Sequence, residues 1–197
     1  MSPGETCSEP TLLAAEQVAA ILARAGIDSV LIGAAALAVH GYPRATQDLD
    51  LATCVEPKRL AAVAPDLRRE GFSAEMSPPD ANDPLGGVLH VGAEGIDPIE
   101  IVNFSNPPAH GFPALLGAAL QDALPYREGT SLRVVSLPHL VVFKLYAGGL
   151  GSKTDVLELL SRNPDVDLKA LRDLCRRFRL DRRLEAWLRE LQASGDE

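Results

Sequence analysis

The sequence predicts an α/β (α+β) fold, in which helices flank a mixed β-sheet core and a C-terminal helical segment follows. As far as residue 135, short apolar or alternating segments typical of strands are interspersed with segments of helical periodicity. From residue 136 onward only helical periodicity remains. We therefore expect an α/β core over residues 1–135 and a helical segment over residues 136–197 packed on it.

The composition is that of an ordinary globular protein, because 46% of the 197 residues are hydrophobic and 23% are charged. No apolar run approaches the roughly 20 residues that cross a bilayer. The first ten residues lack the basic and apolar regions of a signal peptide. Cys7, Cys54 and Cys175 form no Cys-x-x-Cys pair, so a thiolate zinc site is not expected. These features predict a cytoplasmic protein without membrane contact.

The elements of the first quarter follow from periodicity and from glycine. Apolar residues at helical spacing predict a helix from residue 10 or 11 to about residue 24, which Gly26 ends. A short buried strand is expected over residues 28–33, followed by a helical turn of small residues over 34–39. Apolar and polar residues then alternate over 45–52, which predicts a half-buried strand.

The remaining elements are predicted in the same way. Residues 77–87 are rich in proline, glycine and aspartate and indicate a loop. Strands are expected at 88–91, 99–104 and 131–135, the first two pairing around the turn 92–98. Helices are expected at 57–69, 113–124, 137–147, 153–162, 166–178 and 181–193.

Two aspartates mark the candidate metal site. Asp48 and Asp50 are two residues apart in a predicted strand, so both side chains point to one face, with Cα atoms about 6.5–7 Å apart. Two carboxylates on one face repel each other unless they face solvent or share a cation. Mg²⁺ prefers such hard oxygen ligands. The same spacing in Asp165 and Asp167, however, indicates only a helix start, so spacing alone does not identify the site.

A third acid distinguishes the first pair from the second. Glu100 lies among apolar residues of the strand predicted at 99–104, where a charge is costly unless it is paired, bound to metal or exposed at a sheet edge. Asp97 is the competing third ligand, although its position before Pro98 is typical of a turn. The four histidines show no spacing typical of a zinc site.

Several segments, taken in order, resemble a known family. Residues 31–51 (LIGAAALAVHGYPRATQDLDL), 134–145 (VVSLPHLVVFKL) and 153–157 (KTDVL), with Glu100 between them, resemble the motifs of the DNA polymerase β-type nucleotidyltransferase superfamily. The match is closest to minimal prokaryotic members, including AbiEii-like toxins of toxin–antitoxin systems. The resemblance implies a nucleotidyltransferase-like sheet and the transfer of a nucleoside monophosphate from a nucleoside triphosphate to a hydroxyl.

The resemblance also implies roles for individual residues. Asp48, Asp50 and Glu100 would be catalytic residues that bind Mg²⁺ or Mn²⁺. Lys144 would contact a phosphate or the acceptor, and Asp155 would orient Lys144 or help to take the acceptor proton. Two metal ions about 3.5–4 Å apart stabilise both the attacking and the leaving oxygen in such reactions.

The nucleotide itself would meet residues on either side of the predicted turn. Gly33 and Ala34 would let backbone N–H groups approach the phosphates. At the position of Ala34, family members commonly carry serine or glycine. Arg44 could grip a phosphate or pair with an acid, and Thr46 is the remaining nucleotide-binding candidate, although its position favours a plain strand residue. Because Ala34 offers no hydroxyl, the alternative is a non-catalytic protein that binds a nucleotide or a partner.

A basic segment near the C-terminus is the candidate partner surface. The net charge of −8 argues against general nucleic-acid binding, yet residues 169–183 are locally basic. This segment could dock an RNA acceptor or a cognate antitoxin, or it could be a solvated helix face. The arginines concerned are Arg172, Arg176, Arg177, Arg179 and Arg183.

Overall fold

The computed structural model describes residues 7–79, 85–105 and 112–195, with side chains as far as residue 190. Within these ranges the chain forms helices and one sheet. The helices are α1 (Glu9–Arg24), α2 (Gly33–Val39), α3 (Pro57–Ala61), α4 (Ala64–Arg69), α5 (Phe112–Gln121), α6 (Leu137–Ala147), α7 (Gly149–Arg162), α8 (Leu168–Arg177) and α9 (Asp181–Gly195). The strands are β1 (Val30–Leu31), β2 (Leu49–Thr53), β3 (Ser73–Ser77), β4 (Val88–Gly92), β5 (Ile99–Asn103), β6 (Leu124–Pro125) and β7 (Arg133–Val134).

The seven strands form one mixed sheet in the order β3-β4-β5-β2-β1-β7-β6. The pairs β2–β5 and β1–β7 are parallel, and the other neighbours are antiparallel. Helices flank the sheet and complete the C-terminal part, so the predicted fold class is confirmed.

Alternation along the central strands separates a core face from a polar face. Leu49 and Leu51 of β2 and Ile99 and Ile101 of β5 are fully buried in the core. Asp50 lies between the two leucines and therefore points to the opposite face of the sheet. The polar face at the centre of the sheet is where the predicted acidic residues lie.

Several predicted boundaries are wrong, each for a local reason. Helix α1 begins at Glu9, because Ser8 caps it and accepts a hydrogen bond from the Thr11 N–H. The helix expected at 57–69 is two helices, α3 and α4. Helix α7 begins at Gly149 rather than at residue 153, directly after α6.

The strands differ from prediction as well. Strand β2 begins at Leu49, so the first four residues of the strand expected at 45–52 precede it. Strands β3 and β6 were not expected from the pattern, and part of the loop expected at 77–87 lies outside the described residues. Strands β4 and β5 do pair antiparallel around the predicted turn. In the described part of the chain, no helix combines the length and the apolar character required to span a membrane.

The C-terminal helices are joined to the core by side-chain contacts to backbone carbonyls. The Asn163 amide at the end of α7 donates to the carbonyl of His40, which follows α2, at 2.9 Å. The His40 ring in turn lies 2.7 Å from the Val135 carbonyl after β7. Asp167 caps α8 by accepting from the Ala170 N–H, as its position after proline and asparagine predicts.

Candidate active site

Three carboxylates converge on the polar face of the sheet. Asp48, Asp50 and Glu100 each offer an oxygen atom within 4.8 Å of the other two. Asp50 and Glu100 are directly paired across the parallel strands β2 and β5, so their side chains leave the sheet on the same face. The parallel pairing thus brings together residues that are fifty positions apart in the sequence.

Asp48 reaches the cluster by a different route. It lies in a bend before β2 rather than in the strand, so strand alternation does not set its direction. Instead, the Thr46 hydroxyl donates a hydrogen bond to Asp48 Oδ1 at 2.8 Å and holds the carboxylate. Thr46, a nucleotide-binding candidate from the sequence, therefore lies beside a candidate metal ligand and outside the observed strand β2.

Gly33 adjoins Asp50 closely enough to leave no room for a side chain. A Cβ atom at position 33 would lie 2.1 Å from Asp50 Oδ2, and the backbone of Gly33 has a φ of +64°. Both facts require glycine at this position. Ala34, the next residue in α2, is buried, and its side chain offers no hydroxyl.

The cluster is electrostatically strained without a cation. Burial, followed by the negative charges of Asp48 and Glu100, raises the pKa of Asp50 to about 6, against the opposing effect of Lys144 and Arg44. Like charges at close range disfavour the ionised form, and a bound cation reverses this effect. The cluster therefore has the chemistry of a divalent-cation site.

Asp97, the alternative third ligand, is committed to another contact. Its Oδ2 accepts a hydrogen bond from the Thr11 hydroxyl at 2.9 Å, and its N–H donates to the same hydroxyl oxygen. Ser8 approaches the same carboxylate oxygen at 3.5 Å. Asp97 thereby anchors α1 to the turn before β5, and Glu100 is the acid that completes the cluster.

A second charged group comes from the helices that follow the sheet. Lys144 Nζ of α6 lies 2.7 Å from Asp155 Oδ2 of α7, and Arg44 Nε lies 3.7 Å from Asp155 Oδ1. The Asp155 side chain is 4% exposed, whereas that of Arg44 is 47% exposed. The buried carboxylate therefore orients the lysine, and the arginine keeps freedom to move.

An apolar pocket of about 430 Å³ adjoins both charged groups, since Gly33 and Lys144 lie in its wall. The other wall residues include Phe104, Phe112, Phe143 and Tyr146. The Phe112 ring centroid lies 4.2 Å from that of Phe104 and 4.9 Å from that of Tyr146. A flat ring could stack in such a pocket. Aromatic residues are few in this chain and are scattered along the sequence, so the sequence pattern did not predict that they converge.

The arginines of the basic segment are largely engaged within the chain. Arg172 pairs with Glu185 at 2.6 Å, and Arg176 pairs with Asp173 at 2.6 Å. Arg183 donates to the Leu145 carbonyl. The other two arginines are exposed. The Arg177 guanidinium lies 5.4 Å from the centroid of the Phe178 ring, and the backbone of Arg179 has a positive φ of 60°.

Comparison with known proteins supports the fold. No family model and no curated protein matches this chain. The solved structure of ANT(2'')-Ia in complex with adenylyl-2''-tobramycin is 15% identical, with a TM-score of 0.51, over 87% of this chain and 98% of that one. An antigenic nucleotidyltransferase-like protein from Paracoccidioides brasiliensis is 17% identical, with a TM-score of 0.52, over 93% of this chain and 94% of its own. A candidate nucleotidyltransferase from Thermotoga maritima is 15% identical, with a TM-score of 0.51, over 80% of this chain and 97% of its own.

At these identities the likeness concerns the fold, and the fold is that of the nucleotidyltransferases. The resemblance stated from the sequence therefore agrees with the structure at the level of the fold. The AbiEii-like subgroup is a finer assignment that these relatives do not address.

Proposed function

We propose that the protein is a Mg²⁺-dependent nucleotidyltransferase that moves a nucleoside monophosphate from a nucleoside triphosphate to a hydroxyl acceptor. The observation that carries this proposal is the convergence of Asp48, Asp50 and Glu100 within 4.8 Å, beside a lysine held by a buried aspartate. The nucleotidyltransferase fold supports it.

The donor set suits a hard divalent cation. Mg²⁺ and Mn²⁺ take oxygen ligands, and Mg²⁺–oxygen distances of about 2.1 Å place neighbouring ligand oxygens about 3–4 Å apart. One carboxylate oxygen from each of Asp48, Asp50 and Glu100 lies within 4.8 Å of the other two, so small side-chain rotations would bring them to that separation. When bound, the cation would neutralise the phosphates and lower the pKa of the acceptor hydroxyl.

The protein's own groups position the reactants. Lys144, fixed by Asp155, would donate to a phosphate oxygen, and the more exposed Arg44 would add a second donor. In the transfer, the acceptor oxygen bonds to the α-phosphorus as the bond to pyrophosphate breaks, and the hydroxyl proton passes to a carboxylate or to solvent. The aromatic pocket beside Gly33 would hold the nucleobase.

The acceptor could be a small hydroxylated amine or an RNA. The acidic cluster and the net charge of −8 favour a cationic small molecule, and ANT(2'')-Ia was solved with an adenylylated aminoglycoside. An RNA acceptor in a toxin–antitoxin setting would use the basic segment, of which Arg172 and Arg176 are paired internally. Raising the salt concentration separates the two, because RNA binding weakens more steeply with salt than binding of one small cation.

The test of the proposed function is transfer of label from radioactive nucleoside triphosphates with Mg²⁺, to cellular RNA and to aminated sugars. The wild type should label an acceptor, and the Asp48→Ala/Asp50→Ala variant should not. Asp165→Ala, which removes an exposed acid of the same spacing, is the matched control and should transfer normally.

Label transfer that survives the double substitution contradicts the assignment of the metal site. Nucleotide binding without transfer to any acceptor would favour the alternative, a non-catalytic protein that retains the fold to bind a nucleotide or a partner. Ala34 is the feature that favours this alternative, because it lacks the hydroxyl that the family resemblance implies as one common choice at this position.

A further inference from the structure

A row of polar residues crosses the sheet from its edge to the acidic cluster. The register pairs Glu75 of β3 with His90 of β4, His90 with Glu100 of β5, and Glu100 with Asp50 of β2. Directly paired residues present their side chains on the same face. His90 is thus the neighbour of Glu100 on the side away from Asp50.

The imidazole ring of His90 is held at both nitrogens. Nδ1 lies 3.3 Å from Glu100 Oε1, and Nε2 lies 3.0 Å from the hydroxyl of Ser77. Ionised Glu100 can only accept a hydrogen bond. The tautomer compatible with both contacts therefore carries its proton on Nδ1, facing Glu100, while the Ser77 hydroxyl donates to Nε2.

The two sides of the cluster have different neighbours. Gly33, which follows β1 closely, lies against Asp50, whereas His90 of β4 lies against Glu100.

We propose that His90 is a positioning residue for Glu100, holding that carboxylate in the orientation that binds the cation. The inference rests on the metal site of the proposed function. Glu100 has a partly exposed side chain and, unlike Asp48 with Thr46, no hydroxyl of a nearby residue bound to it in the described chain. A hydrogen-bonded outer partner fixes the rotamer of a ligating carboxylate before the cation arrives.

The test compares His90→Ala with His90→Asn. Each variant is titrated with Mn²⁺ alone, and electron paramagnetic resonance measures the fraction of Mn²⁺ that is bound. Asparagine can present an N–H near the place of Nδ1, whereas alanine cannot. We expect His90→Ala to raise the Mn²⁺ dissociation constant about 10- to 100-fold, the range typical for loss of an outer partner, and His90→Asn to restore most of the affinity.

Ser77→Ala, which removes the contact to Nε2 only, should give a smaller loss. Ser73→Ala is the matched control, because Ser73 lies on the same ribbon and donates to the Gly92 carbonyl instead. The His90 side chain is 45% exposed, so all variants should fold, which circular dichroism checks.

Equal Mn²⁺ affinity of wild type and His90→Ala overturns the inference about His90, whatever the transfer activity. Equal losses in His90→Ala and His90→Asn also contradict it, since the hydrogen bond would then not matter. A His90-dependent Mn²⁺ site in a protein that labels no acceptor overturns the proposed function and leaves the role of His90 standing.

Discussion

Two charged regions of this molecule are built on opposite principles. In the acidic cluster, Asp48, Asp50 and Glu100 bring three negative charges together. Burial and this repulsion raise the pKa of Asp50 to about 6. In the basic segment, Arg172 and Arg176 each lie beside an acid of a neighbouring turn or helix. The basic segment is denser in charge along the sequence, yet the acidic cluster is the one that has the chemistry of a site.

The difference teaches that the number of charges in a segment does not identify a functional site. A charged side chain that already forms an ion pair within the chain has little attraction left for a ligand. Charges of one sign that are forced together raise the free energy of the folded protein until a ligand of opposite sign binds. Four predictions test this contrast, in decreasing order of expected effect.

Asp50→Asn should reduce nucleotide transfer about 1,000-fold, the upper range for losing one preorganised electrostatic group. The amide keeps the shape of the side chain but is a weaker ligand for a divalent cation. Initial rates at saturating Mg²⁺ measure the effect. Asp165→Asn, in the exposed Asp-x-Asp pair, should keep the wild-type rate, and a similar loss there would break the comparison.

Lys144→Met should lower the free energy of unfolding by about 3–4 kcal/mol, because it leaves the buried Asp155 carboxylate with only the more distant Arg44. Denaturant titration measures it. Arg172→Met removes a cation from an exposed pair and should cost less than about 1 kcal/mol. An equal loss of unfolding free energy in the two variants would show that the buried ion pair contributes no more to stability than the exposed one.

The pH dependence of stability should differ between wild type and Asp50→Asn in metal-free buffer. The pKa of Asp50 is raised to about 6 in the folded protein, so the folded state keeps a proton that the unfolded state releases near its ordinary value of 3.8. The resulting stabilisation is present at low pH and is lost as the pH rises through 6.

Asp50→Asn should therefore match wild type near pH 4 and exceed it at pH 8 by up to about 3 kcal/mol. Thermal unfolding across this range, with a chelator present, measures the difference. Added Mg²⁺ should reverse the order at pH 8, because only the wild type gains a full ligand set. A constant difference across the pH range would contradict the strain ascribed to the cluster.

The smallest effect is expected in the basic segment. Arg179 follows α8 with a φ of +60°, a conformation that glycine adopts without steric cost. Arg179→Gly should therefore raise the free energy of unfolding by about 0.5–1 kcal/mol, as measured in urea. Arg177→Gly, at the last residue of α8, is the control and should instead destabilise the protein.

Sequence reasoning placed the acidic residues through context rather than spacing. Asp48 and Asp50 shared their spacing with Asp165 and Asp167, but only the first pair preceded an apolar strand that carries a lone acid, Glu100. Convergence then depends on the parallel pairing of β2 with β5, which the sequence pattern did not predict. The fold class was predictable for the same reason, since strands and helices alternate clearly.

Other features depended on contacts between distant segments. Asp97 was the competing third ligand in a position typical of a turn, and its bond to Thr11, 86 positions away, leaves no local trace in the sequence. His90 alternates with the buried Leu89 and Val91, so its position on the polar face could have been inferred. Its pairing with Glu100 could not, because the register of β4 on β5 is set by the whole sheet.

The ion pair of Lys144 and Asp155 has a consequence for how the protein is made. All three clustered carboxylates lie before residue 101, whereas both members of the pair lie after the last strand of the sheet. A chain released early by the ribosome, after β7, would contain every acid of the cluster and would lack both Lys144 and Asp155. The Lys144–Asp155 pair would thus be absent from any incomplete translation product that ends with the sheet.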